Sequence, residues 1–113
     1  MDKLLYRTLL LDFYGALLTE RQRKVFEMRY LDDLSLNEMA DELSVSRQAA
    51  WDLVKRTEKL LVNYEDKLRL IKNHVRANQV YNECQRVLDS TDIKPGDAGL
   101  IKEKLRELFD SEV

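Results

Sequence analysis

The chain has 113 residues, of which 44% are hydrophobic and 35% charged, a single domain's length with enough apolar content for a modest core. The single cysteine, Cys84, excludes an internal disulfide and has no Cys or His neighbour at metal spacing, so neither a disulfide nor a metal framework is expected. A net charge of −2 excludes a strongly basic domain of the kind that coats nucleic acid indiscriminately.

The first element runs from about Lys3 to Leu18, with Leu5, Leu9, Leu10, Phe13 and Leu17 spaced as one helical stripe. Leu4 to Leu18 is the most apolar stretch of the chain, yet Arg7 and Asp12 interrupt it, so it reads as a core helix and not a membrane span. It also lacks the charged leader and small-residue cleavage site of a secretory signal. No membrane insertion and a reducing, cytoplasmic location are the expectation.

Between Gly15 and Pro95 there is neither glycine nor proline, so helix ends in that interval must be set by caps. Thr19-Glu20-Arg21-Gln22 has the spacing of a capping box and opens a second helix whose apolar face is Val25, Phe26 and Met28 to Tyr30. Ser35-Leu36-Asn37-Glu38 is another, opening a short helix with Leu36, Met39, Ala40 and Leu43 on one side. Ser44-Val45-Ser46 is a tight turn, and Ser46 caps a helix starting at Arg47.

From Ala50 the apolar stripe continues through Leu53, Val54, Thr57, Leu60, Leu61, Tyr64, Leu68 and Ile71, which predicts one long helix. The polar residues Lys72, Asn73, His74 and Asn78 predict a bend or break there. A further helix carries Val80, Cys84, Val87 and Leu88 on one face. Asp89 to Gly99 reads as a linker, and Ile101, Leu105 and Leu108 mark a final helix. The expected architecture is all-α: a helix-turn-helix domain over residues 1–70 and a helical extension over 71–113.

The informative stretch is Leu36 to Lys55. Small Ala40 sits where two crossed helices would approach, and Leu43, Val45, Ala50 and Leu53 would hold the crossing angle. The residues between them then face outward. Ser46, Arg47, Gln48, Ala49, Trp51, Asp52, Lys55 and Arg56 are the candidate nucleic-acid-binding residues, from the cap through the first turns of the second helix. Arginine and glutamine can make bidentate contacts to guanine and adenine edges, and Lys55 and Arg56 lie about two turns in, where phosphate contacts are expected. Trp51 has two readings: stacking on an unpaired base, which favours RNA, or packing against the long helix or a second subunit.

Charge is unevenly placed. Residues 30–46 carry five acids (Asp32, Asp33, Glu38, Asp41, Glu42) and no base, whereas residues 47–59 carry four bases against two acids. Lys67, Arg69, Lys72 and Arg76 follow without an intervening acid, a cluster more simply read as a solvated face. No glycine-rich phosphate loop, nucleophile elbow or zinc spacing is present, so catalysis and cofactors are not expected.

Thr19 to Tyr30, Ser35-Leu36-x-Glu38-x-Ala40 and Val45-Ser46-Arg47 together resemble the fourth conserved region of bacterial sigma factors. Asp12-Phe13-Tyr14-Gly15, Tyr30-Leu31-Asp32-Asp33, Ser46-Arg47-Gln48-Ala49, Lys55-Arg56-Thr57-Glu58-Lys59 and Glu65-Asp66-Lys67-Leu68 resemble more closely the bacterial YlxM family, whose genes lie beside that of the signal recognition particle GTPase. The likeness covers about residues 4–70. One departure is Ser44, at a turn position where such motifs favour Gly or Asn, so a left-handed backbone there carries strain. Others are Ala50, Trp51 and Leu53, which replace a more usual Val, Tyr and Asn.

The resemblance implies a sigma-like helix-turn-helix protein without enzymatic activity, associated with the signal recognition particle. Three roles follow: a DNA-binding regulator, an accessory protein for the particle's GTPase or its RNA, or a helical scaffold. A homodimer formed through the long helix and the C-terminal helices is expected in the first case.

Overall fold

The computed structural model describes residues 1–90 and 94–110. They form six helices: α1 (Lys3–Tyr14), α2 (Glu20–Tyr30), α3 (Leu36–Leu43), α4 (Arg47–Leu68), α5 (Leu70–Asp89) and α6 (Asp97–Asp110), with one 3₁₀ turn at Gly15–Leu17. Among the described residues there is no strand, as expected for the all-α class. The chain divides into two compact units, residues 1–71 and 72–113.

The first unit holds the helix-turn-helix. Thr19 caps α2 as the spacing predicts, its hydroxyl accepting from the Gln22 amide at 3.2 Å while the Gln22 side chain accepts from the Thr19 amide at 2.9 Å. Ser35 and Glu38 do the same for α3, at 3.1 and 3.0 Å. The two backbone and side-chain donors of Ser35 hold the Glu38 carboxyl below its ordinary pKa. The core between α2, α3 and α4 is built from Val25, Met28, Met39, Ala40, Ala50 and Val54, closed at the edges by Leu34, Leu36, Leu43, Val45 and Leu53. Every one of the four residues expected to hold the crossing angle is in this cluster or against it.

α1 differs from its sequence reading. It ends at Tyr14 and tightens into the 3₁₀ turn, and its buried face is Leu10, Leu11 and Tyr14, while Leu5 and Leu17 are about half exposed. Gly15 packs closely at this point: a methyl group there would come within 3.3 Å of the Leu11 side chain.

The long helix also ends earlier than its apolar stripe suggests. Arg69 adopts a left-handed backbone (φ 56°) and terminates α4, three residues before the polar run at Lys72. The cause is tertiary. Tyr14 donates its hydroxyl to the Glu65 Oε1 at 2.6 Å, and the same carboxylate oxygen accepts from the Ile71 amide at 2.9 Å. The Leu70 amide donates to the Tyr14 hydroxyl at 3.1 Å. The two amides that the start of α5 would leave unsatisfied, those of Leu70 and Ile71, are thereby paired in a buried site, with Tyr14 fully buried and Glu65 and Ile71 nearly so. The Tyr14 and Tyr64 rings stack alongside, 6.0 Å between centroids.

In the second unit Glu83 of α5 pairs with Lys104 of α6 at 3.2 Å, and Arg76 donates to the Glu107 carbonyl at 3.3 Å. The stretch read as a linker is shorter than expected, because Asp97 to Gly99 already belong to α6; its residues 91–93 lie outside the described ones. The side chain of Asp97, the first residue of that helix, reaches back to accept from the Lys94 amide at 2.7 Å.

Burial first, and the bond to Glu65 second, push the Tyr14 hydroxyl up to about 12 from its ordinary 10. A raised folded-state value means that Tyr14 contributes stability fully below pH 10 and loses it as the pH rises through 12. Tyr14→Phe should therefore lower stability by about 1–3 kcal/mol at neutral pH, leaving Glu65 one donor short. In denaturant titrations from pH 8 upward, the variant should also show a shallower alkaline decline than the wild type.

Candidate nucleic-acid interface

The turn between α3 and α4 has three residues. Ser44 takes the left-handed conformation (φ 55°, ψ 44°), as anticipated for that position. The Val45 amide then reaches the Ala40 carbonyl at 3.0 Å and the Ser44 amide approaches the Asp41 carbonyl at 3.4 Å, the paired bonds of a Schellman ending. Ser46 follows in an extended conformation and its hydroxyl accepts from the Ala49 amide at 3.0 Å. Both ends of the turn are therefore satisfied locally, and α4 starts with Arg47 in solvent.

The predicted site residues divide by helical phase. Arg47, Trp51 and Lys55 follow one another at four-residue spacing, and Gln48, Asp52 and Arg56 form the adjacent row. Arg47, Gln48, Asp52, Lys55 and Arg56 are exposed; Trp51 is half-buried. Ala49 is half-buried too, on the row that continues to Leu53 and the core. Ser46 is exposed, its hydroxyl occupied by the cap.

Within these rows the charges are not equivalent. Among the described residues Arg47 and Arg56 have no ion-pair or hydrogen-bond partner. Lys55 is partly committed: its ammonium lies 4.3 Å from the Trp51 ring centroid and 3.8 Å from a Glu58 oxygen. Gln48 donates to Asp52 at 3.0 Å. The uncommitted cations are thus at the N-terminal turn and two turns along it.

Two residues that the sequence did not single out complete the surface. Arg29 and Leu36 join Arg47, Gln48 and Trp51 around an open groove of about 570 Å³. Arg29 is held in place by donating to the Leu34 carbonyl at 3.0 Å, across the α2–α3 connection. Its position in the last turn of α2, where a cation suits the helix dipole, was the signal available. Leu36 was visible as a core position of α3 and also forms a wall.

The long helix is fixed in angle from the other side by Glu58. One of its oxygens accepts from Arg7 Nε and Nη2 at 3.3 and 3.1 Å, and the other accepts from the Tyr30 hydroxyl at 2.9 Å. Arg7 lies 4.1 Å over the Tyr30 ring. α1, α2 and α4 therefore meet at one carboxylate. Burial pushes the Glu58 carboxyl up, but the bonds from Tyr30 and Arg7 and the nearby Lys55 charge outweigh it, and the net shift is downward.

Residues 1–96 match the profile of UPF0122, the YlxM/p13-like helix-turn-helix proteins. The chain belongs to this family. Relatives in it include a UPF0122 protein of Halalkalibacterium halodurans, 45% identical over 79% of this chain and 82% of that one. One from a Thermoanaerobacter species is 45% identical over 81% of this chain and 76% of its own, and one from Lactococcus lactis subsp. cremoris is 44% identical over 88% and 83%. For this UPF0122 member the structure gives the family's helix-turn-helix description its concrete form, α3, the Ser44–Ser46 turn and α4. Among the described residues no helix is long and apolar enough to cross a membrane.

Ser44→Gly should relieve the left-handed strain and raise stability by about 1 kcal/mol, a rise in Tm of about 4 °C. Glu58 has a depressed folded-state value, so its contribution is full above its ordinary 4.5 and fades as the pH falls through that lower value. Glu58→Gln should cost about 1 kcal/mol at pH 7, and the difference from wild type should shrink in acid unfolding curves. A constant difference down to the acid transition would refute the assignment.

Proposed function

We propose that this chain is a DNA-binding regulator that reads the major groove with the N-terminal half of α4. The observation that carries the reading is Arg47: an exposed guanidinium on the first turn of α4, unpaired among the described residues, beside a turn closed at both ends. A cation at a helix N-terminus is slightly unfavourable for stability, so its placement is not explained by the helix itself. In helix-turn-helix complexes the recognition helix enters the groove by this end, where an arginine can grip guanine O6 and N7. Arg56 is positioned for a phosphate, and Arg29 borders the same groove.

The remaining surface limits affinity. Asp32, Asp33, Glu38, Asp41 and Glu42 are all exposed and repel a polyanion, so binding relies on base contacts more than on general attraction. A regulator of this kind works in the cytoplasm, without catalysis or cofactor, and a dimer would engage two half-sites about one helical turn apart.

Mobility shifts with genomic DNA fragments over a salt series test the reading. Wild type should bind a subset of fragments, with affinity falling as salt rises. Arg47→Ala should lose roughly tenfold or more on those fragments with no loss of Tm, because Arg47 makes no ion pair or side-chain hydrogen bond among the described residues. Equal binding at low and high salt, or an unaffected Arg47→Ala, defeats it. The RNA and the GTPase of the signal recognition particle, run in the same series, separate DNA binding from the accessory role that the resemblance implies.

A further inference from the structure

The row Gln48, Asp52, Arg56 contains a carboxylate in the middle of a surface otherwise furnished with cations. Asp52 is exposed, and among the described residues its partner is Gln48, at 3.0 Å. A carboxylate only accepts, so the Gln48 amide nitrogen must face Asp52, and the Gln48 amide oxygen is turned away from it. The pair therefore presents acceptors: the Gln48 oxygen and the Asp52 carboxylate. As helix stabilisation alone, a Gln–Asp pair at this spacing is worth only a few tenths of a kcal/mol.

Against a polyanion that arrangement costs affinity unless the acceptors meet donors. On the major-groove edge the donors are the N4 amino group of cytosine and the N6 amino group of adenine. Guanine offers O6 and N7 and thymine offers O4, all acceptors, which a carboxylate repels. Arg47, five residues before Asp52 and so about 140° round the helix from it, is also exposed and makes the opposite selection at its own step, since its guanidinium only donates.

We infer that Asp52, oriented by Gln48, is a specificity-determining residue that admits an amino-bearing base, cytosine or adenine, and excludes guanine and thymine at one step of the target. The inference rests on the DNA reading above and names what that surface selects. Cytosine fits better than adenine at the carboxylate itself, because adenine N7 adds an acceptor beside N6, whereas cytosine carries only a C–H there. Asp52 thus works against general binding to the backbone and for discrimination between bases.

Selection of duplexes from a randomised pool, performed with wild type, Asp52→Ala and Asp52→Asn, tests this. Wild type should disfavour guanine and thymine at one position by roughly tenfold or more. Asp52→Ala should flatten that position alone, keep the neighbouring preference set by Arg47, and bind unselected duplex more tightly because a negative charge has left the interface. Asp52→Asn, whose amide both donates and accepts, should admit the keto bases there. Coincident thermal unfolding of the three proteins assigns the changes to the surface. An enriched motif that is identical in wild type and Asp52→Ala overturns the inference and leaves DNA binding standing. A wild type that enriches no sequence at any salt concentration overturns both.

Discussion

The presentation of α4 depends on three residues, Ser44, Val45 and Ser46. A left-handed serine ends α3, its neighbour buries an apolar side chain against the α2–α3–α4 core, and a second serine caps α4. Were Ser44 to leave the left-handed region, the amides of Ser44 and Val45 would lose Asp41 and Ala40, and Val45 would leave the core. Everything proposed about Arg47, Gln48 and Asp52 presupposes that this turn holds, because it decides which residues of α4 meet solvent and which meet Met39 and Ala40.

Two carboxylates do for the long helix what the turn does for its start. Glu58 gathers Arg7 and Tyr30 midway along α4, and Glu65 gathers Tyr14 and the Ile71 amide at its end, with the Leu70 amide held by Tyr14. Both are buried or half-buried acids that would be costly alone and are affordable because each accepts at least two hydrogen bonds. They also give a physical meaning to sequence elements far apart in the chain. The tyrosine of Asp12-Phe13-Tyr14-Gly15 and the first acid of Glu65-Asp66-Lys67-Leu68 are partners in one buried bond.

Much of the helix-turn-helix was legible in the residues, for a local reason. Thr19 with Gln22, Ser35 with Glu38, and Ser46 are capping signals whose partners lie within three residues, and all three caps form. The α3 stripe and the left-handed Ser44 are equally local. What the residues did not reveal is set from a distance. α4 stops at Arg69 because Tyr14, 56 residues before Leu70, supplies an acceptor for its amide, and no periodicity along α4 encodes that. In α1, leucines stand at positions 4, 5, 9, 10 and 11, so several phases fit a stripe, and contact with α2 and α4 chose Leu10, Leu11 and Tyr14. Arg29 could be placed in the last turn of α2 but not beside Trp51, since that neighbourhood arises only when α2 packs across α4.

No glycine lies between Gly15 and Pro95, yet the backbone turns left-handed at Asp33, Ser44 and Arg69. A side chain at such a joint carries a strain that glycine would not, so each corner of the first unit persists because the contacts around it hold it there.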